Sequence, residues 1–181
     1  MRNLIYSLTF ALSLSMISCG GGSEESAPVL TLEELQTSIV TLEEELYQAK
    51  TKTKLNMSKA KELMTMYKGF IDNNPTHESL AEMTFKAGEL SMGMEEYNQS
   101  IEYFERIVKN HSDYEKAPEA TYLVAFIYDE YLKEKGKAAD NYQRMIELYP
   151  NNRLSQDAKA SIELLNMSDE DILKMLEQKN S

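Results

Sequence analysis

The chain has 181 residues and carries 30 acidic against 19 basic side chains, which gives a net charge of −11 at pH 7. Nucleic acids and anionic lipid surfaces are bound through clustered Lys and Arg, so this balance excludes a general nucleic-acid binder and disfavours adsorption to anionic lipid. The single cysteine cannot form a disulfide within the chain, and the fold must therefore depend on an apolar core.

The N-terminal segment 1–18 has the features of a secretory signal. Arg2 supplies a positive end, residues 4–14 are apolar apart from Ser and Thr, and Ser18 is a small residue at the break in this pattern. A membrane-spanning helix needs roughly 20 apolar residues, and this stretch is shorter. We therefore interpret residues 1–18 as a signal peptide.

The residues around Cys19 resemble the lipobox of bacterial lipoproteins, with Ser18 before the cleavage site. The resemblance implies that Cys19 is acylated and becomes the first residue of the mature chain, as a membrane anchor. Each buried CH₂ contributes about 0.8 kcal/mol, so two or more acyl chains would anchor the protein stably. Cleavage removes Arg2 and no acid, which makes the mature net charge −12. An ordinary secreted protein with an unmodified Cys19 is the alternative.

Residues 19–29 are expected to form a flexible tether from the lipidated cysteine. The sequence GGGSEESAPV at residues 20–29 has linker composition and no apolar period. Its Ser23-Glu24-Glu25 is similar to the acidic tract that marks export to the cell surface in lipoproteins of Bacteroidota. Any solvated tether is polar, so the periplasmic and the surface face of the outer membrane both stay open. We expect a lipid-anchored protein of the cell envelope.

Residues 30–75 are predicted to hold an N-terminal helix and a divergent first repeat. Apolar residues recur here at intervals of three and four, which is the spacing of a coiled-coil seam. Packing of this stripe on the next helix of the same chain is one interpretation, and an oligomer formed through residues 32–49 is the other. The stripe consists of Leu32, Leu35, Ile39, Leu42, Leu46 and Ala49.

The strongest pattern is an internal repeat, marked by Pro75, Ser112 and Pro150. The residue number increases by 37 from the first mark to the second and by 38 from the second to the third. Equivalent residues recur eight and five positions before the marks and twelve after them. They are Tyr67, Phe104 and Tyr142, then Phe70, Ile107 and Met145, then Ala87, Val124 and Ile162. Repeats of this size that consist of two helices predict a solenoid, in which each repeat is stabilised by its neighbours.

The pattern resembles the tetratricopeptide repeat over residues 31–167. In that family a small residue lies in the first helix, an aromatic one in the second and a proline at the exit, as at Gly88, Phe104 and Pro150. The resemblance implies an all-α fold, a right-handed α-solenoid of about three helix-turn-helix repeats with C-terminal capping helices. The segment KEKGK at residues 133–137 is expected to add about one residue to the last repeat.

The expected organisation follows from these marks. Residues 76–150 hold two full repeats, and residues 151–181 hold the capping helices. Ser168 is predicted to begin the last helix as its N-cap, with acids in the first turn that favour the positive end of the helix dipole. The apolar residues that would cover the end of the stack are Ile172, Leu173, Met175 and Leu176.

No residue pattern indicates catalysis. His77 and His111 fall near repeat exits without further ligands at metal-binding intervals, and we interpret them as loop residues. The run Glu43-Glu44-Glu45 is more typical of a solvated helix face than of an acid–base pair, and the Gly-rich stretch at residues 20–22 lacks the context of a phosphate loop. We expect no enzyme, no cofactor and no metal.

Binding is the activity that the resemblance implies. In the tetratricopeptide family the inner face of each first helix lines a groove for peptide segments. Counted from Gly88 and Ala125, this face mixes aromatic, thioether and acidic side chains, which suit a basic segment with apolar anchors. Packing between first helices is the alternative use of Phe85 and Tyr122. The candidate residues are Glu82, Phe85, Glu89, Met92, Glu119, Tyr122, Phe126, Asp129 and Glu130.

Three functions are compatible with the sequence. A non-catalytic, membrane-anchored adaptor for proteins of the envelope is favoured, similar to the repeat region of the outer-membrane barrel-assembly lipoprotein. A coordinator of the Tol–Pal type, which pairs a trimeric coiled coil with such repeats, is the alternative, and residues 32–49 support it. An enzyme is the third candidate, with no residue constellation in its favour.

Overall fold

The computed structural model describes residues 30–47 and 55–179, and all regular structure in these ranges is helical. The helices are α1 (Leu32–Tyr47), α2 (Met57–Asn73), α3 (Leu80–Gly93), α4 (Tyr97–Asn110), α5 (Ala117–Phe126) with a π-helical continuation (Ile127–Tyr131), α6 (Lys135–Leu148), α7 (Arg153–Asn166) and α8 (Asp169–Lys179). Each helix from α1 to α6 packs on the next one along the chain, which confirms an all-α, repeat-type solenoid.

The signal peptide, Cys19 and the tether to residue 29 lie outside the described ranges, and so does Ala49. Of the helices that are described, none is both long and apolar enough to cross a bilayer. The predicted membrane association therefore concerns residues about which the described helices give no information.

The turns between helix pairs repeat the same backbone geometry. The C-cap residues that follow α2, α4 and α6 are Asn74, His111 and Tyr149, where φ is −130°, −139° and −132°. Two successive hydrogen bonds from residue i+3 to residue i follow in each turn, with N···O distances between 2.9 and 3.1 Å. Their donors are His77 and Leu80, Tyr114 and Ala117, and Asn152 and Ser155. Because these turns recur at the same spacing as the marks in the sequence, the backbone itself confirms the predicted period.

The central repeat is built around a close approach of α3 and α4 at Gly88. A β carbon at this position would lie 2.7, 2.9 and 3.0 Å from three ring carbons of Phe104, whose side chain is fully buried. The Ser100 hydroxyl on α4 donates to the Gly88 carbonyl at 2.8 Å. Glycine is therefore the residue that fits here, as predicted. In the next repeat, Ala125 and Ala138 occupy the corresponding buried positions.

The extra residue of the last repeat lies in a helix and not in KEKGK. The residue number increases by 37 from Gly88 to Ala125, but by 38 from Glu95 to Lys133, the two turn residues with positive φ (64° and 56°). Between these marks the chain forms the π-helical turn, in which the Leu132 N–H donates to the carbonyl five residues earlier at 3.0 Å. The insertion is thus absorbed as one wide helical turn, which corrects the sequence-based position.

The apolar stripe of α1 packs on α2 of the same chain. Ile39, Leu42 and Leu46 are buried in one core cluster with the apolar residues of α2 and α3. Thr31 and Glu34 form a capping box at the start of α1, with the Thr31 N–H donating to the Glu34 carboxylate at 2.8 Å. A coiled-coil oligomer through residues 32–49 would need the apolar side chains Ile39, Leu42 and Leu46 at its interface, and these are already buried against α2 and α3.

The C-terminal helix begins as predicted. The Asp171 N–H donates to the Ser168 hydroxyl oxygen at 3.2 Å, and this hydroxyl donates to the Asp171 carboxylate at 2.6 Å. Met175 is exposed, and the side chains of Ile172, Leu173 and Leu176 lie outside the described part of the chain. Covering of the stack by these residues remains a prediction.

Candidate functional site

The first helices of the pairs, α1, α3, α5 and α7, carry exposed side chains that we call together the first-helix face: Tyr47, Glu82, Glu89, Glu119 and Leu164. On it, Lys86 joins α1 to α3, because its Nζ lies 3.1 Å from a carboxylate oxygen of Glu43 on α1 and 3.1 Å from one of Glu82 on α3. Partial burial lowers the pKa of Lys86, but its hydrogen bonds to Glu82 and Glu43 outweigh this effect and raise the pKa overall. Lys86 therefore stays protonated and neutralises part of the acidic face.

Tyr67 of α2 also binds the Glu43 carboxylate. Its ring is buried, and its hydroxyl donates to Glu43 Oε1 at 2.6 Å. Burial raises the pKa of the Tyr67 phenol, and the hydrogen bond to the Glu43 carboxylate raises it further. Because Tyr67 and Lys86 both bind Glu43, this carboxylate holds the helices together and is not free for a partner.

Phe85 lies in the core and not on the surface. Its side chain is fully buried, with ring centroids 5.4 Å from Phe104 and 6.2 Å from Tyr114. The Lys116 ammonium at the start of α5 lies over the ring, 4.7 Å from its centroid. Packing between first helices thus uses Phe85, and the expectation that it could anchor a partner is corrected for this residue.

Glu82, Glu89 and Glu119 lie exposed on the first-helix face, and their part in binding stays a prediction. Partial desolvation raises the pKa of Glu89, and the Glu119 charge on α5 acts in the same direction, while Lys116 and Lys86 oppose it. Within the described part of the chain, Glu89 and Glu119 form no ion pair. These two carboxylates are therefore available to a cation from outside.

Aromatic rings follow α5 from its middle to its end. Tyr122 is half-buried, with its ring centroid 5.5 Å from Tyr142 and 6.4 Å from Phe126. Phe126, also half-buried, meets Tyr131 edge to face at 5.9 Å, and Tyr131 stacks on Tyr97 at 4.5 Å. Tyr122 mainly supports the packing of the last repeat, whereas Phe126 and Tyr131 leave apolar surface open.

The remaining candidates are distributed over three environments. Met92 is half-buried against the second core cluster. Asp129, in the π-helical turn, accepts a hydrogen bond from the Tyr142 hydroxyl at 3.3 Å, and burial together with this neighbourhood raises the pKa of the Tyr142 phenol. Glu130 is exposed and lies 3.4 Å from Lys133. The structure therefore brings Glu82, Glu89, Glu119 and Phe126 onto the accessible face and uses Asp129 internally.

Sequence reasoning missed Tyr47, Lys86 and Lys116 on this face. It interpreted Glu43 as part of a solvated run, which is wrong for this residue because Tyr67 and Lys86 bind its carboxylate. Tyr47 at the end of α1 is 56% exposed. Partial desolvation by its neighbours raises the pKa of the phenol, and the nearby charge of Glu89 raises it further. The spacing of Lys86 four residues after Glu82 could have indicated an ion pair on one helix. Its second partner, Glu43, lies two helices earlier in the chain, and no local pattern predicts such a contact.

His77 and His111 both form contacts with neighbouring residues of the helix ends and turns. The His77 ring meets Phe70 edge to face at 5.1 Å, and its Nδ1 accepts the Ser79 N–H at 3.0 Å. His111 is the C-cap of α4, and its N–H donates to the Ile107 carbonyl at 2.8 Å. In residues 30–47 and 55–179, no group of three or more His, Cys, Asp or Glu side chains is placed to hold a metal ion.

Residues 119–152 match the family model of the tetratricopeptide repeat. The match extends from the first turn of α5 to the turn before α7, and thus covers one helix pair. No curated protein matches the chain. Together with the all-helical fold and its repeated turns, the match supports a protein of tetratricopeptide type, and with it a role in binding other proteins.

Proposed function

We propose that the protein is a non-catalytic, lipid-anchored adaptor of the bacterial cell envelope, which binds segments of other envelope proteins on its first-helix face. The observation that carries the proposal is the stack of helix pairs, of which one pair matches the tetratricopeptide repeat and whose first helices carry exposed acidic and apolar side chains. Such stacks present extended surfaces for binding, because each repeat adds one more helix to the same face.

The anchor rests on the sequence alone. The signal-like residues 1–18 and the isolated Cys19 support lipidation, and the tether of residues 19–29 would hold the helical stack near the outer membrane. A Tol–Pal type coordinator is less well supported, because the apolar stripe that suggested its coiled coil packs on α2.

The anchor can be tested by growing cells with a labelled fatty acid. Wild-type protein should carry the label and sediment with membranes, whereas Cys19→Ala should lose the label and be released. A wild-type protein that carries no label, together with a Cys19→Ala variant retained on membranes, would contradict lipidation. This experiment leaves the binding proposal unaffected.

Binding can be tested by photocrosslinking in cells. Leu164 on α7 and Leu148 on α6 are 43% and 50% exposed, but only Leu164 lies on the first-helix face. A photoreactive residue at position 164 should capture a defined set of envelope proteins, which the same residue at position 148 should not capture. Equal capture from both positions, or none from position 164, would argue against the first-helix face as the binding surface.

A further inference from the structure

An ion pair joins the second helices α4 and α6, and its equivalent one repeat earlier is missing. Arg144 Nη1 on α6 donates to both carboxylate oxygens of Glu105 on α4, at 2.7 and 2.9 Å. In the register that aligns the buried aromatic residues of the second helices, Arg144 corresponds to Arg106, 38 positions earlier, and Glu105 corresponds to Lys68, 37 positions earlier. Between α2 and α4 the repeat therefore has two cations where the next repeat has an ion pair.

Lys68 and Arg106 line one cleft between α2 and α4, with a volume of about 200 Å³. Ile71 and Tyr103, which are 2% and 7% exposed, also line this cleft and give it an apolar floor. The Tyr103 hydroxyl donates to the sulfur of Met64 at 3.8 Å and is thus used within the chain. A group bound against this floor loses part of its contact with water, so its attraction to the two cations is screened less than at an open surface.

The charges of the cleft have no partners in the described part of the chain. Lys68 and Arg106 form no ion pair in residues 30–47 and 55–179, and neither do Asp72 and Glu102, which line the same cleft. Burial raises the pKa of the Tyr103 phenol, the Arg106 charge opposes this effect, and the charges of Asp72 and Glu102 add to it. The cleft thus presents two cations and two carboxylates around one ring, all of them available to another molecule.

The next repeat shows which group fits between the two cations. There the guanidinium of Arg144 holds a carboxylate through two hydrogen bonds, a geometry that makes such pairs both strong and directional. Because α2 has Lys68 in place of the glutamate, a carboxylate for Arg106 has to come from outside the chain. Pairing of exposed charges four residues apart on one helix contributes only about 0.3–0.5 kcal/mol, so Glu102 on the same helix competes weakly for Arg106.

The charge of the whole chain limits the kind of partner. With a net charge of −11, the protein repels a strongly acidic surface. A surface that presents one acidic and one basic side chain together has no net charge and meets no such repulsion. Its acid matches Lys68 and Arg106, and its base matches Asp72 and Glu102.

We infer that the cleft between α2 and α4 binds another protein through a carboxylate side chain, which lies between Lys68 and Arg106, and through a basic side chain beside it, which lies at Asp72 and Glu102. The cleft is formed by second helices, so this site goes beyond the binding proposed for the first-helix face. An adaptor with both sites holds two partners through different helices.

The test follows the arginine Nε–H signals of the full chain in nonionic detergent by NMR. Three arginines follow residue 30, and of these Arg144 and Arg153 already have carboxylate partners, so both serve as internal references for Arg106. The probe is the peptide acetyl-Gly-Glu-Lys-Gly-amide, which has no net charge. It should shift the Arg106 signal saturably in the millimolar range and leave the Arg144 signal in place. A peptide with glutamine instead of glutamate should bind at least about fivefold more weakly.

Charge reversal at position 68 tests the equivalence of the two repeats. Lys68→Glu supplies a carboxylate where α4 has Glu105, so the free Arg106 signal should move towards that of Arg144, and peptide binding should weaken about tenfold. Lys68→Gln removes the cation without supplying a carboxylate and should leave the free Arg106 signal in place. Lys159→Glu makes the same charge reversal at an exposed position of α7 and should change neither the signal nor the binding.

Photocrosslinking in cells tests whether the occupant is a protein. Gln99 lines the cleft and is half-buried. A photoreactive residue at position 99 should capture a defined protein, and Lys68→Glu in the same chain should reduce this capture about tenfold. Lys159→Glu should leave the capture unchanged.

The outcomes separate this inference from the proposed function. Equal responses of Arg106 and Arg144, or equal binding of the glutamate and glutamine peptides, would overturn the carboxylate site. An Arg106 signal that Lys68→Glu does not move would overturn the equivalence of the repeats. Absence of capture from position 99, capture that ignores Lys68→Glu, or capture of a second copy of this chain would overturn the proposed partner. Crosslinking from position 164 tests the first-helix face independently, so either site can fail while the other stands.

Discussion

The close approach at Gly88 allows a quantitative test of the fold. In Gly88→Ala, the added methyl group would meet three carbons of the Phe104 ring at 2.7 to 3.0 Å. Apolar carbons prefer separations of about 3.5–4.0 Å, so the ring or the helix would have to move by roughly 0.7–1 Å. The Phe104 side chain is fully buried, and its ring centroid lies 5.4 Å from that of Phe85, so neighbouring side chains oppose a shift of the ring.

Two opposing contributions decide the sign of the change in stability. Overpacking of a well-filled core costs about 1–3 kcal/mol, and replacing glycine by alanine inside a helix gains about 1 kcal/mol. We expect Gly88→Ala to lower the free energy of unfolding by about 1 kcal/mol net, and Gly88→Leu to lower it considerably more. Phe104→Leu in the Gly88→Ala background should restore part of this loss, because the smaller side chain makes room for the methyl group.

Gly69 provides the matched control, since it lies inside α2 and a β carbon there would meet nothing within 4 Å. Gly69→Ala should therefore raise the free energy of unfolding by about 0.5–1 kcal/mol. Urea unfolding followed by circular dichroism at 222 nm would measure both variants under the same conditions. A Gly88→Ala variant that gains as much stability as Gly69→Ala would show that α3 and α4 do not meet at Gly88.

Two further changes test the electrostatics and the turns. Because the pKa of Glu89 is raised in the folded chain, the folded state binds this proton more tightly than the unfolded state, and its contribution makes the free energy of unfolding fall as the pH rises through the folded pKa. Glu89→Gln should remove that part of the slope, which lies at pH values above the ordinary carboxyl pKa, and stabilise the chain at neutral pH; an unchanged slope in urea titrations would contradict this. Glu95→Gly should raise the free energy of unfolding by about 0.5 kcal/mol, because φ is 64° there, whereas Glu102→Gly inside α4 should lower it by about 1 kcal/mol; equal effects of the two would refute the turn geometry.

Periodic features of the chain could be predicted because they are repeated in the sequence. Tyr67, Phe104 and Tyr142 recur once in each repeat, and the structure buries all three at equivalent places. Gly88 was identified by the same register. The Ser100 hydroxyl binds its carbonyl and the Phe104 ring occupies the place of a β carbon, which explains why the residue must be small. A residue that repeats carries information from every copy, which compensates for weak local propensity.

The interaction surface was predicted less completely, because exposure depends on the neighbouring repeat. Phe85 and Tyr122 have equivalent positions on their helices, yet Phe85 is fully buried under α5 and Tyr122 is only half-buried next to Tyr142. The pair between Glu43 and Lys86 joins helices that are separated in sequence by a whole helix. Helical periodicity shows which side of a helix a residue is on, but not how much of that side a neighbour covers.

The π-helical turn at Ile127–Tyr131 is another feature that the repeat pattern indicates but does not locate. A repeat that is one residue longer than the preceding one could extend its loop, and the glycine in KEKGK made that loop the natural choice. A π-helical turn at the end of α5 absorbs the residue differently, because the extra residue widens the last turn of the helix and leaves the loop before α6 unchanged in length. Here it places Asp129 at the Tyr142 hydroxyl and stacks Tyr131 on Tyr97. The rings beside Phe126 include Tyr131 of this turn, and a comparison of repeat lengths alone could not have shown that the insertion lies in the helix.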